Sequence, residues 1–132
     1  MVEGRSVFLD IPQDQYLLRS EHFFVVEDAF PVSPGHCLIV SCEPRADYFE
    51  LDKVERHELT ELIHRVRACI EQDHSPDAYN IGMNCGRIAG QTVMHFHCHV
   101  IPRYAGDMKS PEGGVRHCVA GKGHYQAVSQ ND

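Results

Sequence analysis

Several features that would direct a functional assignment are missing from this chain. It has no run of about 18 apolar residues, so no membrane-spanning helix is predicted. Its opening stretch, MVEGRSVFLDIPQDQY, carries Glu3, Asp10 and Asp14 and no apolar segment of signal-peptide length. A cytoplasmic protein is the expectation. None of the six cysteines, at 37, 42, 69, 85, 98 and 118, forms a C-x-x-C pair, which argues against disulfide and zinc frameworks and leaves reduced, mostly buried thiols. Basic residues are outnumbered, 12 Lys and Arg against 19 Asp and Glu, for a net charge of −7. The average field of such a surface repels a phosphate backbone, so non-specific nucleic-acid binding is excluded and any anionic ligand needs a local site. There is no internal repeat. There is no Walker A loop either: in AGKGHY, Arg116 stands where the first glycine belongs and Gly123 follows Lys122.

What is present fits one domain over 132 residues, a length that buries about two-thirds of the unfolded surface. HFFVVEDAF, residues 22 to 30, reads as a strand running into a loop. Pro34 and Gly35 suit the two central positions of a type II turn, and the unbroken apolar run 37 to 40 predicts a strand buried on both faces. Leu59, Leu62, Ile63, Val66 and Ile70 recur at helical steps, and Asp52 with Glu55 has capping-box spacing, which together predict a helix over about 52 to 72. Residues 78 to 84 alternate as a strand with Tyr79, Ile81 and Met83 on one face, and 92 to 101 form the next strand, antiparallel to it. The residues after Pro102 read as loop with at most one short element.

The chemistry is concentrated in QTVMHFHCHVIPR, residues 91 to 103, where His95, His97 and His99 alternate strictly. In a strand they share one face, while Met94, Phe96, Cys98 and Val100 face the core. A single metal ion is a poor fit for all three: His95 and His99 start roughly 13 Å apart in an extended strand, against Zn–N bonds of about 2.0 to 2.1 Å. A solvated surface strand accounts for one such histidine better than for three in phase, flanked by Gln91, Thr92 and Arg103. A row of this kind suits an elongated anion. Neutral imidazoles can attack phosphorus or donate hydrogen bonds, and amide, hydroxyl and guanidinium groups can hold non-bridging oxygens.

GQTVMHFHCHVIPRYAGD resembles the signature of the histidine triad (HIT) superfamily. The resemblance extends to PVSPGHCLIV at 31 to 40, NCG at 84 to 86 and GGVRHCVAGKGHY in the tail, and so spans roughly residues 20 to 125. The Gln-Thr before the triad and the Pro-Arg and Gly-Asp after it look most like the fragile histidine triad type of dinucleoside polyphosphate hydrolase. It implies an α+β fold, with an antiparallel sheet of about five strands and one main helix, in a single domain 1–132 whose core runs from about 20 to 105 before a tail 106–132. It also implies pairing into a homodimer with a continuous sheet.

As what the resemblance implies, His97 is the nucleophile that takes the nucleotidyl group, and His99 contacts the α-phosphate and assists the leaving group. His95 orients the central ring, supported by His36. Gln91 reaches the bridging or leaving phosphate oxygen, Asn84 helps hold phosphate, Thr92 offers its hydroxyl there, and Asp28 binds the ribose hydroxyls. Hydrolases of the fragile triad type tend to carry Asn at the position of Asp28. Ile101 stands where the transferase and phosphorylase branch has Gln, which favours hydrolysis. No cofactor is expected on the protein, and any divalent cation would accompany the substrate. A nucleoside phosphoramidate hydrolase, or a nucleotide-binding module with incidental turnover, are the alternatives. Arg116, His117 and Lys122 stand as a solvated tail with a lesser prospect of reaching distal phosphates.

Overall fold

In the computed structural model, which describes residues 6–125, Asp52 starts the helix that the periodicity predicts. Its carboxylate accepts the Glu55 amide N–H at 2.8 Å, and the Glu55 carboxylate accepts the Asp52 N–H at 2.8 Å, a closed capping box. The helix α1, Lys53–Ile70, buries Leu59, Leu62, Val66 and Ile70 along one stripe. Glu55 is 1% exposed, and Arg45 grips its carboxylate with two guanidinium nitrogens at 3.0 to 3.1 Å. That pairing compensates the burial of the charge and ties the loop that holds Arg45 to the start of the helix.

Five strands form one antiparallel sheet: β1 Leu18–Arg19, β2 Phe23–Glu27, β3 Cys37–Ser41, β4 Ala78–Gly82 and β5 His97–Arg103, in the order β1-β2-β3-β5-β4. Every residue of β3 is buried, as its unbroken apolar run predicts. Cys37 and Ile39 face α1 with Phe23, Val25, Cys98 and Val100; Leu38 and Val40 face the other side with Phe24 and Val26. That second face is covered by residues 7 to 16, which the sequence left outside the core. Phe8 and Ile11 pack there, and Tyr16 stacks on Phe24 at 4.3 Å. Burying Phe8 alone is worth about 1.5 to 3 kcal/mol.

Three expectations need correction. The last strand begins at His97 rather than 92 and runs on to Arg103. Gln91 is the reason: its side-chain amide donates to the carbonyls of Ala46 at 2.7 Å and Val93 at 3.0 Å, and its oxygen accepts the Gly86 N–H at 2.7 Å. These bonds close a bend over 93 to 95 in place of a ladder, and Met94 is 43% exposed instead of lining the core. The strand predicted over 78 to 84 ends at Gly82; Tyr79 and, just past its end, Met83 pack on the core, but Ile81 lies 44% exposed on this edge strand. All six cysteines are free, yet only Cys37 and Cys98 are buried, because only these two alternate toward the helix layer. The tail carries one 3-10 turn, Gly114–Cys118, and its part from residue 126 lies outside the described residues. Among the described residues no helix is long and apolar enough to cross a membrane.

Candidate active site

Strand β5 alternates in burial along its length, so Cys98 and Val100 anchor it in the helix layer while His97 and His99 stand on the opposite face. Their ring centroids are 5.4 Å apart. His36 arrives from the predicted turn, where Gly35 has φ +91° and the Ser33 carbonyl accepts the His36 N–H at 3.2 Å. Asp28 follows β2. Its Oδ1 accepts the Phe30 N–H at 2.8 Å, and its Oδ2 lies 3.4 Å from His36 Nε2 and 3.8 Å from His99 Nδ1.

The hydrogen-bond partners assign a tautomer to each ring. Backbone N–H of Val32 donates to His36 Nδ1 at 3.1 Å, so neutral His36 carries its proton on Nε2 and donates it to His99 Nδ1 at 2.9 Å. His99 therefore carries its proton on Nε2, the nitrogen left for a ligand. His97 has the opposite pattern. Its Nδ1 is 2.8 Å from the carbonyl of His95, which can only accept, so the proton sits on Nδ1 and Nε2 keeps its lone pair. Two adjacent rings thus offer one nucleophilic nitrogen and one hydrogen-bond donor.

Burial favours the neutral form of His36, His99 and His95. His36 is lowered from the usual histidine range by desolvation, partly opposed by Asp28, and His99 by desolvation and then by the charges that His97 and His36 would carry. His95 is lowered for the same first cause and is 1% exposed. Its Nε2 donates to the Ser41 carbonyl at 2.7 Å, and Nδ1 is buried with no hydrogen-bond partner.

The structure brings His97, His99, His36 and Asp28 together, and it redistributes other roles. His36 bonds His99 rather than supporting the ring of His95. His95 lies before β5, is buried instead of facing the cleft, and acts on His97 through its backbone carbonyl. Gln91, expected to reach a phosphate oxygen, is 3% exposed with its amide committed to the loop. Asn84 and Thr92 are exposed, and Asn84 lines a groove of about 750 Å³ that opens beside His99. Cys98 points away into the core, where burial pushes its thiol up to about 12, so it is no nucleophile at neutral pH. Arg116 and His117 bond within the tail itself, to the carbonyls of Gly123 and Glu112.

Phe8 escaped the sequence analysis. Its ring meets His97 edge-on at 4.9 Å and His95 at 5.7 Å, so it packs against one flank of both rings. The available signal was Ser6 before the apolar Val7, Phe8 and Leu9: the Ser6 hydroxyl accepts the Phe8 N–H at 3.1 Å and starts a 3-10 turn.

Asp28, His36 and His99 also form a cluster whose donor atoms lie close enough for one metal ion. Their protons do not fit it. A metal needs the lone pair of His36 Nε2, which would move that ring's proton to Nδ1, against the N–H of Val32.

Residues 11–106 match the HIT domain family. An uncharacterized HIT-like protein of Mycoplasma genitalium is 32% identical over 102 residues, which cover 74% of this chain and 72% of that one. The asymmetrical bis(5'-nucleosyl)-tetraphosphatase of Schizosaccharomyces pombe is 40% identical over 80 residues, 58% of this chain and 42% of the enzyme. AP-4-A phosphorylase of Mycobacterium tuberculosis is 30% identical over 106 residues, 76% of this chain and 54% of the enzyme. The chain thus spans about half of each of these two enzymes. The solved structure of a zinc-bound histidine triad family protein from Mycobacterium smegmatis superposes with a TM-score of 0.67 at 31% identity, over 76% of this chain and 73% of that one.

Proposed function

The chain belongs to the HIT domain family, and from that premise we propose that it hydrolyses a phosphoanhydride at the α-phosphorus of a dinucleoside polyphosphate. The observation that carries this is the pair of opposite tautomers on β5. His97 Nε2 attacks the α-phosphorus in line, the N–P bond forms, and the bond to the bridging oxygen breaks. The ring becomes cationic while keeping its Nδ1 proton on the His95 carbonyl, whose dipole stabilises the developing charge. His99 Nε2–H donates a hydrogen bond to the leaving oxygen. Water then displaces His97 from phosphorus, releasing the nucleoside monophosphate and passing a proton to solvent. Asp28 takes the ribose hydroxyls, Asn84 and Thr92 hold phosphate at the exposed side, and Gln91 fixes the loop that carries them.

The same tautomers bear on the bond cleaved. Neutral His99, with Nδ1 already accepting from His36, has a hydrogen bond to give but no proton to surrender. A phosphate leaves as an anion and needs no more; an amine must leave protonated. P–O cleavage is therefore favoured over the phosphoramidate alternative, and Ile101, in place of the Gln of the transferase branch, favours water as acceptor. The tautomers of His36 and His99 favour a protein without its own metal, so any divalent cation arrives with the substrate. The open edge of β4, with Ile81 exposed, supports pairing of two copies through that strand, and six free thiols accord with a cytoplasmic setting.

The test compares turnover of diadenosine triphosphate with that of adenosine 5'-phosphoramidate, followed by acid-quench isolation of a labelled protein. Faster anhydride cleavage with nucleotide recovered on His97 is expected. A faster phosphoramidate, or label on another residue, would reverse the assignment.

A further inference from the structure

The amide that fixes the tautomer of His36 belongs to a loop with little packing of its own. Phe30 and Val32 are 85% and 71% exposed, so their side chains give the loop no anchor, yet the Val32 N–H has to stay on His36 Nδ1. Other hydrogen bonds of residues 29 to 35 close within 28 to 37. Among the described residues, two leave it, and both go to the chain at the end of β5. The Ser33 hydroxyl donates to the Pro102 carbonyl at 2.6 Å, and the Tyr104 hydroxyl donates to the Pro34 carbonyl at 2.7 Å. Between these bonds the turn lies against Pro102 itself, where a Cβ on Gly35 would come within 3.3 Å of the proline ring.

The acceptor of the Ser33 bond is well placed for this. Pro102 is buried and lies on the strand that carries His99. The Arg103 carbonyl accepts the Asp77 N–H on the β4 side, so the carbonyl one residue earlier points to the β3 side, where pairing has already stopped at Cys37 and Val100. No ladder donor reaches it there, and the Ser33 hydroxyl takes that place. Tyr104 stands on a fixed base in its turn. Its backbone N–H donates to Asp107 Oδ2 at 3.0 Å, and Arg103 grips the same carboxylate at 2.7 and 2.9 Å.

We propose that Ser33, with Tyr104 as a second support, is a positioning residue of the active site: it refers the Val32 amide to the strand that carries His99, which keeps His36 donating and the His99 proton on Nε2. The inference deepens the hydrolase reading above and rests on it for its kinetic arm alone. Each hydroxyl has one proton, already given to a carbonyl, so neither acts as an acid on substrate. Without the Ser33 bond the loop hangs from Tyr104 alone and the Val32 N–H is no longer held on His36. The His36 proton is then free to settle on Nδ1, and His99 Nε2 loses the hydrogen that meets the leaving oxygen.

Ser33→Ala should lower kcat on diadenosine triphosphate about tenfold with KM unchanged, roughly 1.4 kcal/mol in the barrier. Ser33→Thr, which keeps the hydroxyl, should restore most of that loss. Added to His36→Asn, which already breaks the relay, Ser33→Ala should cost no further rate. Imidazole nitrogen NMR of the protein without nucleotide supplies a readout independent of turnover, because a nitrogen that carries hydrogen and one with a bare lone pair resonate far apart. Wild-type His99 should show a protonated Nε2 and a bare Nδ1, and in Ser33→Ala the two signals should move toward one another. Tyr104→Phe should shift both measurements in the same direction by less, and it carries the test if Ser33→Ala does not fold. A His99 tautomer untouched by either substitution, or a rate loss that multiplies with that of His36→Asn, overturns the inference while the hydrolase reading stands. A tautomer shift in a protein that turns over no nucleotide refutes the hydrolase reading and leaves the brace in place.

Discussion

His36 makes two hydrogen bonds with its two ring nitrogens, and two amide side chains can each keep one of them. In His36→Asn the amide oxygen falls near the place of Nδ1 and can accept the Val32 N–H, but the donor to His99 is lost. In His36→Gln the amide nitrogen reaches the place of Nε2 and can donate to His99, while Val32 loses its acceptor. Both variants leave one group at a 3% exposed position without its partner, so each should lose about 1 to 3 kcal/mol of stability. Activity should separate them. With His36→Asn nothing holds the Nε2–H tautomer of His99, and kcat should fall about 10- to 100-fold, or roughly 1.4 to 2.7 kcal/mol in the barrier. His36→Gln should stay within about threefold of wild type, since its lost bond points away from the substrate and a change under 1 kcal/mol is expected. Denaturant unfolding followed by initial rates on the same preparations gives both quantities. Equal losses of rate in the two variants, or a fast His36→Asn, would refute the relay from Val32 through His36 to His99.

His97→Ala should lower turnover by several orders of magnitude while nucleotide affinity changes little, and retention of a tenth of the wild-type rate would contradict a nucleophilic role. Hydrolysis of a substrate chiral at the α-phosphorus should proceed with net retention, the product of two in-line displacements; net inversion would replace the covalent path by direct attack of water. Stability should fall on acidification: His36, His95 and His99 have folded values below their unfolded ones, so their neutral forms contribute fully above about pH 6.5 and that contribution is lost as pH falls toward the folded values. His22, raised by its hydrogen bond to Glu58, runs the other way, its contribution present below about pH 6.5 and lost as pH rises through the folded value. Urea melts from pH 7 to 5 should show the first trend prevailing, and His36→Gln should flatten it. Elemental analysis of purified protein should find far less than one zinc per chain, and stoichiometric zinc whose removal abolishes activity would overturn the metal-free assignment.

The parts of the fold governed by local periodicity were legible. Asp52, Glu55 and the apolar stripe to Ile70 announce α1 because capping and helical spacing act within a few residues. Cys37 to Val40 announces a doubly buried strand for the same reason. Long-range bonding was not legible. Nothing local tells that the amide of Gln91 would be taken by the carbonyl of Ala46, 45 residues away, and so shorten β5. Nor does alternation distinguish His95 from His97, since the turn of one ring toward the Ser41 carbonyl depends on a strand elsewhere in the chain. At the site, alternation placed His97 and His99 together, but the partnership of His36 with His99 needed the sheet order that sets β3 beside β5. Phe8 is the same kind of case: a short apolar stretch gains meaning only against the far face of β2 and β3.

Strand β5 interleaves its two duties residue by residue, with His97 and His99 outward and Cys98 and Val100 inward. A deletion or insertion of a single residue ahead of it would reverse both at once, pressing imidazoles into the aliphatic layer and turning a thiol toward the nucleotide. Length in the loop after Gln91 is therefore under tighter constraint than composition. Exchanges such as Cys98→Val should be absorbed with modest cost, whereas one residue more or fewer between Gln91 and His97 should leave neither a packed sheet nor a working site.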